Sequence, residues 1–260
     1  RRDAGTFFCN GRIGDGTGAG LFELTLDPAF AQNLARRGVG TPTESQQIQL
    51  ALADAGYALL DELKKQNYPT PKVDQLVTMA QHGVSYEYVS GMGALGYKTN
   101  TIGVLVTIRD HGVDPAYVKG LADAGFDDLT MDELLTARDH GVDPAYIAQM
   151  QSFGAGKLTL RQLITIRDHG VDANYVAGMA ELGHGDLPLT ALVRSRDHGV
   201  DPHYIRSMEA AGYKGLDLEG LIRARDPGVD AAFAKQVKSR LGRTVSIDRL
   251  IQIRDQGGLD

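Results

Sequence analysis

RDHGVDPAY, residues 109–117, decides how this chain folds, because it returns unchanged at 138–146 and nearly unchanged at 167–175 (RDHGVDANY), 196–204 (RDHGVDPHY) and 225–233 (RDPGVDAAF). The His-Gly pair at its centre stands at His82-Gly83, His111-Gly112, His140-Gly141, His169-Gly170 and His198-Gly199, then as Pro227-Gly228 and Gln256-Gly257, each step 29 residues long. Unrelated loops would not hold one period over seven occurrences without an insertion, so the chain is read as a tandem repeat.

Within one unit, 130–153, the residues spell two short helices. Thr130 with Glu133 three residues on forms a capping box, and Leu129 and Leu134 occupy the staple positions around it. Leu134, Leu135 and Ala137 make the apolar side, and Gly141 ends the helix in a left-handed conformation. Val142 then precedes Asp143 as N-cap and Pro144 as the first helical residue, with Ile147 placed to staple back onto Val142. Tyr146, Ile147 and Met150 face inward from the second helix, which Gly154 ends as Gly96, Gly125, Gly183 and Gly212 do in sister units.

Helices this short are marginal alone, since isolated helices below ~12–15 residues barely form in water. Neighbouring units must therefore stack, which predicts a mainly α fold, an α-solenoid of 29-residue two-helix repeats. Its core consists of a leucine column (Leu76, Leu105, Leu134, Leu163, Leu192, Leu221, Leu250) and a tyrosine column (Tyr88, Tyr117, Tyr146, Tyr175, Tyr204). Leu59 and Leu60 stand one period before Tyr88 and Val89, so 55–66 reads as an incomplete unit and the array as 55–260. Residues 1–54 read as a small N-terminal cap: two strands, 6–13 and 21–26, joined by the glycine-rich GDGTGAG, then a helix opening at Asp27-Pro28 and another near Thr43. At the other end only four residues follow Gln256, so Leu250, Ile251 and Ile253 are expected to stay partly uncovered.

With 260 residues, 42% of them hydrophobic, the chain can bury a substantial core. A net charge of -6 leaves no broad basic surface of the kind that tracks a phosphate backbone, so no nucleic-acid partner is expected. No apolar run approaches the roughly 20 residues that cross a bilayer. The single cysteine, Cys9, has no internal partner for a disulfide. The chain opens without an initiator Met in an alternating segment and reads as a fragment or processed product.

No residue is nominated as catalytic, cofactor-binding or metal-ligating. The His column invites a metal, but turns of packed helices lie roughly 8–10 Å apart, whereas zinc needs nitrogens at about 2.0–2.1 Å. Each His is read instead as favouring the negative end of its helix. The columns of Arg109, Arg138, Arg167, Arg196, Arg225 and Arg254, each followed by Asp, are read as ion pairs with a carboxylate of the same or the adjacent turn, fixing register. The GDGTGAG loop lacks the Lys-Ser/Thr ending and following helix of a phosphate-binding loop. Function is sought where the repeats differ: Thr107, Thr136, Thr165, Arg194 and Arg223 on the first helices, and Lys119, Asn174, His203 and Arg206 on the second. That surface passes from neutral to basic along the array and suits an extended protein or peptide partner. Unselected drift produces the same gradient.

The segments RDHGVDPAYI (138–147), DELKKQNYPTPKVDQL (61–76) and RDAGTFFCNGRIGDGTGAGLFELTLDPAF (2–30) together resemble the regions that follow the peptidase domain in BlaR-like bacterial membrane metallopeptidases, and related stand-alone repeat proteins. The peptidase and its zinc motif have no counterpart in this sequence, so no catalytic residue carries over. The resemblance implies a sensory, ligand-responsive or interaction module, attached to or related to a membrane-anchored parent, and leaves a periplasmic or a cytoplasmic setting open.

Overall fold

A computed structural model describes residues 1–14, 16–152 and 158–257, which fall into two compact units, Arg1–Asp139 and His140–Asp260. The fold is mainly α, with two-helix repeats stacked as an α-solenoid within each unit. The first unit runs β1 (Gly5–Gly14), β2 (Thr17–Leu26), α1 (Pro28–Arg36), α2 (Glu44–Ala53), α3 (Tyr57–Lys65), α4 (Val73–Gln81), α5 (Tyr86–Ala94), α6 (Ile102–Asp110), α7 (Pro115–Asp123) and α8 (Met131–Asp139). The second runs α9 (Pro144–Ser152), α10 (Leu160–Asp168), α11 (Ala173–Met179) with a π-helical turn to His184, α12 (Leu189–Asp197), α13 (Pro202–Ala210), α14 (Leu218–Arg225), α15 (Ala231–Leu241) and α16 (Ile247–Asp255).

Helix ends obey the chemistry read from the unit. Thr130 and Glu133 form the capping box, with the Glu133 amide donating to Thr130 Oγ1 at 3.3 Å and the Thr130 amide to Glu133 Oε2 at 2.8 Å. The Asp143 carboxylate accepts the Tyr146 amide at 2.7 Å, as Asp114, Asp172, Asp201 and Asp230 accept theirs. Gly141 lies at φ +70°, where a Cβ is strained, and Val113, Val171, Val200 and Val229 close the turns by donating back to the helix just ended. Gly154 lies outside the described residues. In the last complete repeat the stop moves from Leu241 to Gly242, and α15 is correspondingly longer.

The period reaches further back than the repeated phrase. N-caps of second helices fall at Asp27, Gly56, Ser85 and Asp114, and those of first helices at Thr43, Lys72 and Thr101, all in 29-residue steps. Left-handed residues keep the same step: Asp54 (φ 55°) precedes Gly83 and Gly112, while Gly38 and Asn67 (φ 64°) precede Gly96 and Gly125. The two helices of the N-terminal cap thus have repeat geometry, and the β1–β2 hairpin occupies the slot ahead of α1 where a first helix would lie.

That substitution explains a polar residue in the core. Gln47 stands one period before Leu76, yet is only 6% exposed, because strand and turn backbone is its neighbour there. Its Nε2 donates to the carbonyls of Ala4 (2.9 Å) and Asp27 (2.8 Å), each of which also accepts a backbone amide, from Asp27 and Phe30 respectively, so the glutamine adds a second hydrogen bond to each where the hairpin base meets α1. Elsewhere both columns are buried throughout, and each fully covered leucine contributes on the order of 1.5–3 kcal/mol. Of the three residues expected to stay partly uncovered, Ile251 is half-buried, whereas Leu250 and Ile253 are buried, since α16 packs against α14 without needing a following helix. No helix among the described residues is long and apolar enough to cross a membrane.

Candidate functional site

Several members of the repeated phrase have partners in a neighbouring repeat. The arginine lies over the preceding repeat's aromatic ring, Arg109 over Tyr88, Arg138 over Tyr117, Arg167 over Tyr146, Arg196 over Tyr175, Arg225 over Tyr204 and Arg254 over Phe233, with 4.7–5.4 Å to the ring centroid. The expected arginine ion pairs are replaced by this stacking; only Arg109, among the described residues, meets a carboxylate, Asp114 at 3.3 Å. The aspartate after it reaches the preceding histidine instead: His82 with Asp110, His111 with Asp139, His140 with Asp168, His169 with Asp197 and His198 with Asp226, at 2.6–2.7 Å from Nδ1. The histidines do sit at helix C-caps, but their rings serve as links between repeats.

The valine offers its carbonyl. Tyr88 donates its hydroxyl to Val113, Tyr146 to Val171, Tyr175 to Val200 and Tyr204 to Val229, at 3.0–3.1 Å. Burial pushes the Tyr146 and Tyr204 phenols up to about 12 against a partial offset from Arg167 and Arg225, and raises Tyr88 and Tyr175 as well. Proline at the first helical position packs against a glycine in the preceding second helix: a Cβ built on Gly91 or Gly178 would lie 2.6 Å from Pro115 or Pro202. Ser195, the polar member of an otherwise apolar column, is buried but bonded to the Tyr175 hydroxyl at 2.7 Å and to two carbonyls of its own helix. The phrase therefore links each repeat to its neighbour through stacking, hydrogen bonds and packing.

The nine variable residues are all exposed. Thr107, Thr136 and Thr165 return their hydroxyls to the carbonyl four residues back, which leaves their methyl groups and the helix face outward. The cationic positions are engaged: Arg194 with Glu219 through both oxygens, Arg223 with Asp248 at 3.0 Å, Arg206 with Glu181 at 2.7 Å, and Lys119 with Asp123 at 2.6 Å. His203 borders a hollow of about 290 Å³ shared with Ser207, Arg225 and Asp230, and Asn174 is exposed on α11. Thr107, Lys119 and Thr136 belong to the first unit and Thr165, Asn174, Arg194, His203, Arg206 and Arg223 to the second, and within each they lie on successive helices.

The N-terminal hairpin stands where the glycine-rich pattern placed it, but the contacts made by the residues ahead of it are not legible in the sequence. Gly56 has no side chain with which to cap α3, and Asp3 supplies the cap from outside, accepting the Tyr57 amide at 2.7 Å. Arg2 donates to the last carbonyls of α2, Ala51 and Leu52. Around them lies a polar cleft of about 630 Å³ bordered by Arg1, Asp54, Tyr86 and Glu87. The strands pair from Gly5↔Leu26 to Gly14↔Thr17 without a bulge, and beyond their base Phe8, Cys9, Leu21 and Phe22 are exposed. Nothing in the repeat pattern pointed to either feature, because neither recurs. Among the described residues no three His, Cys, Asp or Glu side chains converge as metal ligands would. Comparison with family models, with curated proteins and with solved structures returns no match.

Proposed function

We propose that the chain is a non-enzymatic repeat scaffold that holds a protein or peptide partner along the exposed faces of its helices. One observation carries the reading: the invariant positions of the repeat are engaged with each other, whereas the exposed positions between them change from Thr107, Thr136 and Thr165 to Arg194 and Arg223 on an unchanged backbone. A solenoid binds through the surface that its core does not dictate.

The test uses the full chain as bait beside a variant with Thr107→Glu, Thr136→Glu and Thr165→Glu. Exposed substitutions of this kind shift stability by only about ±0.5 kcal/mol each, so both chains should melt alike. The expected result is a partner retained by the parent chain, mapped to this helix face by cross-linking, and lost from the variant. Identical captured proteins, or cross-links only to the hairpin, overturn the reading.

A further inference from the structure

We propose that the last complete repeat carries a docking site for a short acidic peptide segment, formed by Lys235 and Lys238 on α15, Arg243 in the loop after it, and Lys214 in the matching loop one repeat earlier. The inference rests on the scaffold reading and names the partner at one end of it.

The starting point is the division of the cations in the second unit. Arg167, Arg196, Arg225 and Arg254 are stacked on rings, and Arg194, Arg206 and Arg223 are held by carboxylates. Lys214, Lys235, Lys238 and Arg243 are exposed, and none forms an ion pair among the described residues. From 235 to 249 the chain carries five cationic side chains against one acid, Asp248, itself taken by Arg223, in a protein of net charge -6.

The fold does not require these charges. Lys238 stands where earlier repeats have Ala122, Gln151, Ala180 and Glu209, and Arg243 where they have Lys98, Asp127, Gly185 and Lys214, so a cation is present in some repeats and absent from others. A cation in the last turn complements the helix dipole, which accounts for Lys238, but Lys235 lies mid-helix and Lys214 and Arg243 lie outside any helix. Lys235 and Lys238, three apart, are neighbours on one helical face and repel each other, a repulsion that an anionic ligand removes. α13 and α15 pack side by side, so the loops that follow them, bearing Lys214 and Arg243, lie at the same end of the pair. The four cations therefore share one surface.

Their extent selects the ligand. Stacked helices are roughly 8–10 Å apart, so two repeats match a peptide of a few acidic residues. A long polyanion would overrun the patch onto a chain of net charge -6.

The probe is a fluorescent Glu-rich peptide of about ten residues, titrated by anisotropy against the full chain, with its Gln counterpart and a single-stranded oligonucleotide of equal charge alongside. The acidic peptide should bind and the Gln peptide should not, and added salt should weaken the complex. Lys235→Glu with Lys238→Glu and Arg243→Glu should reduce affinity by more than about tenfold without altering the thermal melt. Equal binding by parent and variant overturns the proposal, as does tight binding of the oligonucleotide with none of the peptide. If the acidic peptide fails while a partner is still lost from the threonine-face variant, this inference falls and the scaffold reading stands; loss of both results removes both.

Discussion

The first junction of the array and the later ones have the same backbone and different stitching. Where later junctions have histidine, arginine, aspartate and tyrosine, the α2–α4 junction has Ala53, Ala80, Gln81 and Leu59. Its links are amides: Gln81 to Gln49 at 2.7 Å and Gln46 to Asp74 at 2.8 Å. Helix lengths, left-handed ends and the 29-residue step nevertheless agree. The apolar columns and the helix terminators therefore make the repeat, and the polar phrase locks register between units that would stack without it.

The largest expected effect separates the two kinds of junction by pH. Unfolded tyrosine titrates near about 10, whereas burial pushes Tyr146 and Tyr204 up to about 12. A folded pKa above the unfolded one means that the contribution is complete below about pH 10 and is lost as pH climbs through about 12. Circular dichroism should show cooperative unfolding within that window, coincident with tyrosinate absorbance. Tyr146→Phe together with Tyr204→Phe, on the precedent of Phe233, should move the transition upward. An alkaline midpoint that these changes leave in place would mean that the tyrosine junctions are not where the array gives way.

A middle-sized effect concerns the glycine and proline that meet across later junctions. Gly178→Ser drives a side chain into Pro202 and should cost about 1–3 kcal/mol in denaturant melts. Adding Pro202→Ala should restore most of the loss, since Ser207 and Gln149 already stand opposite alanines, Ala231 and Ala173. The first junction has neither member of the pair, with Glu62 and Tyr86 at these positions. Additive losses would show that the two residues do not touch.

The smallest effect is in the links that look most specific. The His140 and Asp168 side chains are each 42% exposed, and a double-mutant cycle to alanine should give a coupling of only about 0.2–1 kcal/mol. The amide pair Gln49 and Gln81 should fall within the same range. A coupling above about 2 kcal/mol for the histidine pair, with none for the amides, would make the phrase a source of stability and break the comparison.

The repeat, its two helices and their caps were legible because each rests on contacts within about five residues: a hydroxyl or carboxylate on the third amide ahead, or a glycine at a left-handed end. Asp27-Pro28-Ala29-Phe30 carried the same signal, a four-residue echo of the phrase, but Gly56 and Ser85 interrupt the aspartate series, and Asp54 stands where glycine marks later helix ends. Local pattern cannot register a cap that Asp3 provides from 54 residues away. The candidate surface was legible as positions. The carboxylates engaging Arg194, Arg206 and Arg223 were not, because each lies 25 residues off on another helix.

By itself the sequence determined the period, the helix boundaries and the residues that face inward, since local backbone conformation and apolar spacing are properties of a short stretch of chain. Only the tertiary structure decided that arginine stacks on tyrosine, that aspartate takes histidine 28 residues away, and that Gln47 serves two carbonyls in a leucine's place. Those choices depend on which side chains stacking brings within about 3 Å of one another, and sequence spacing says which helices are neighbours without saying which of several polar groups on them will meet.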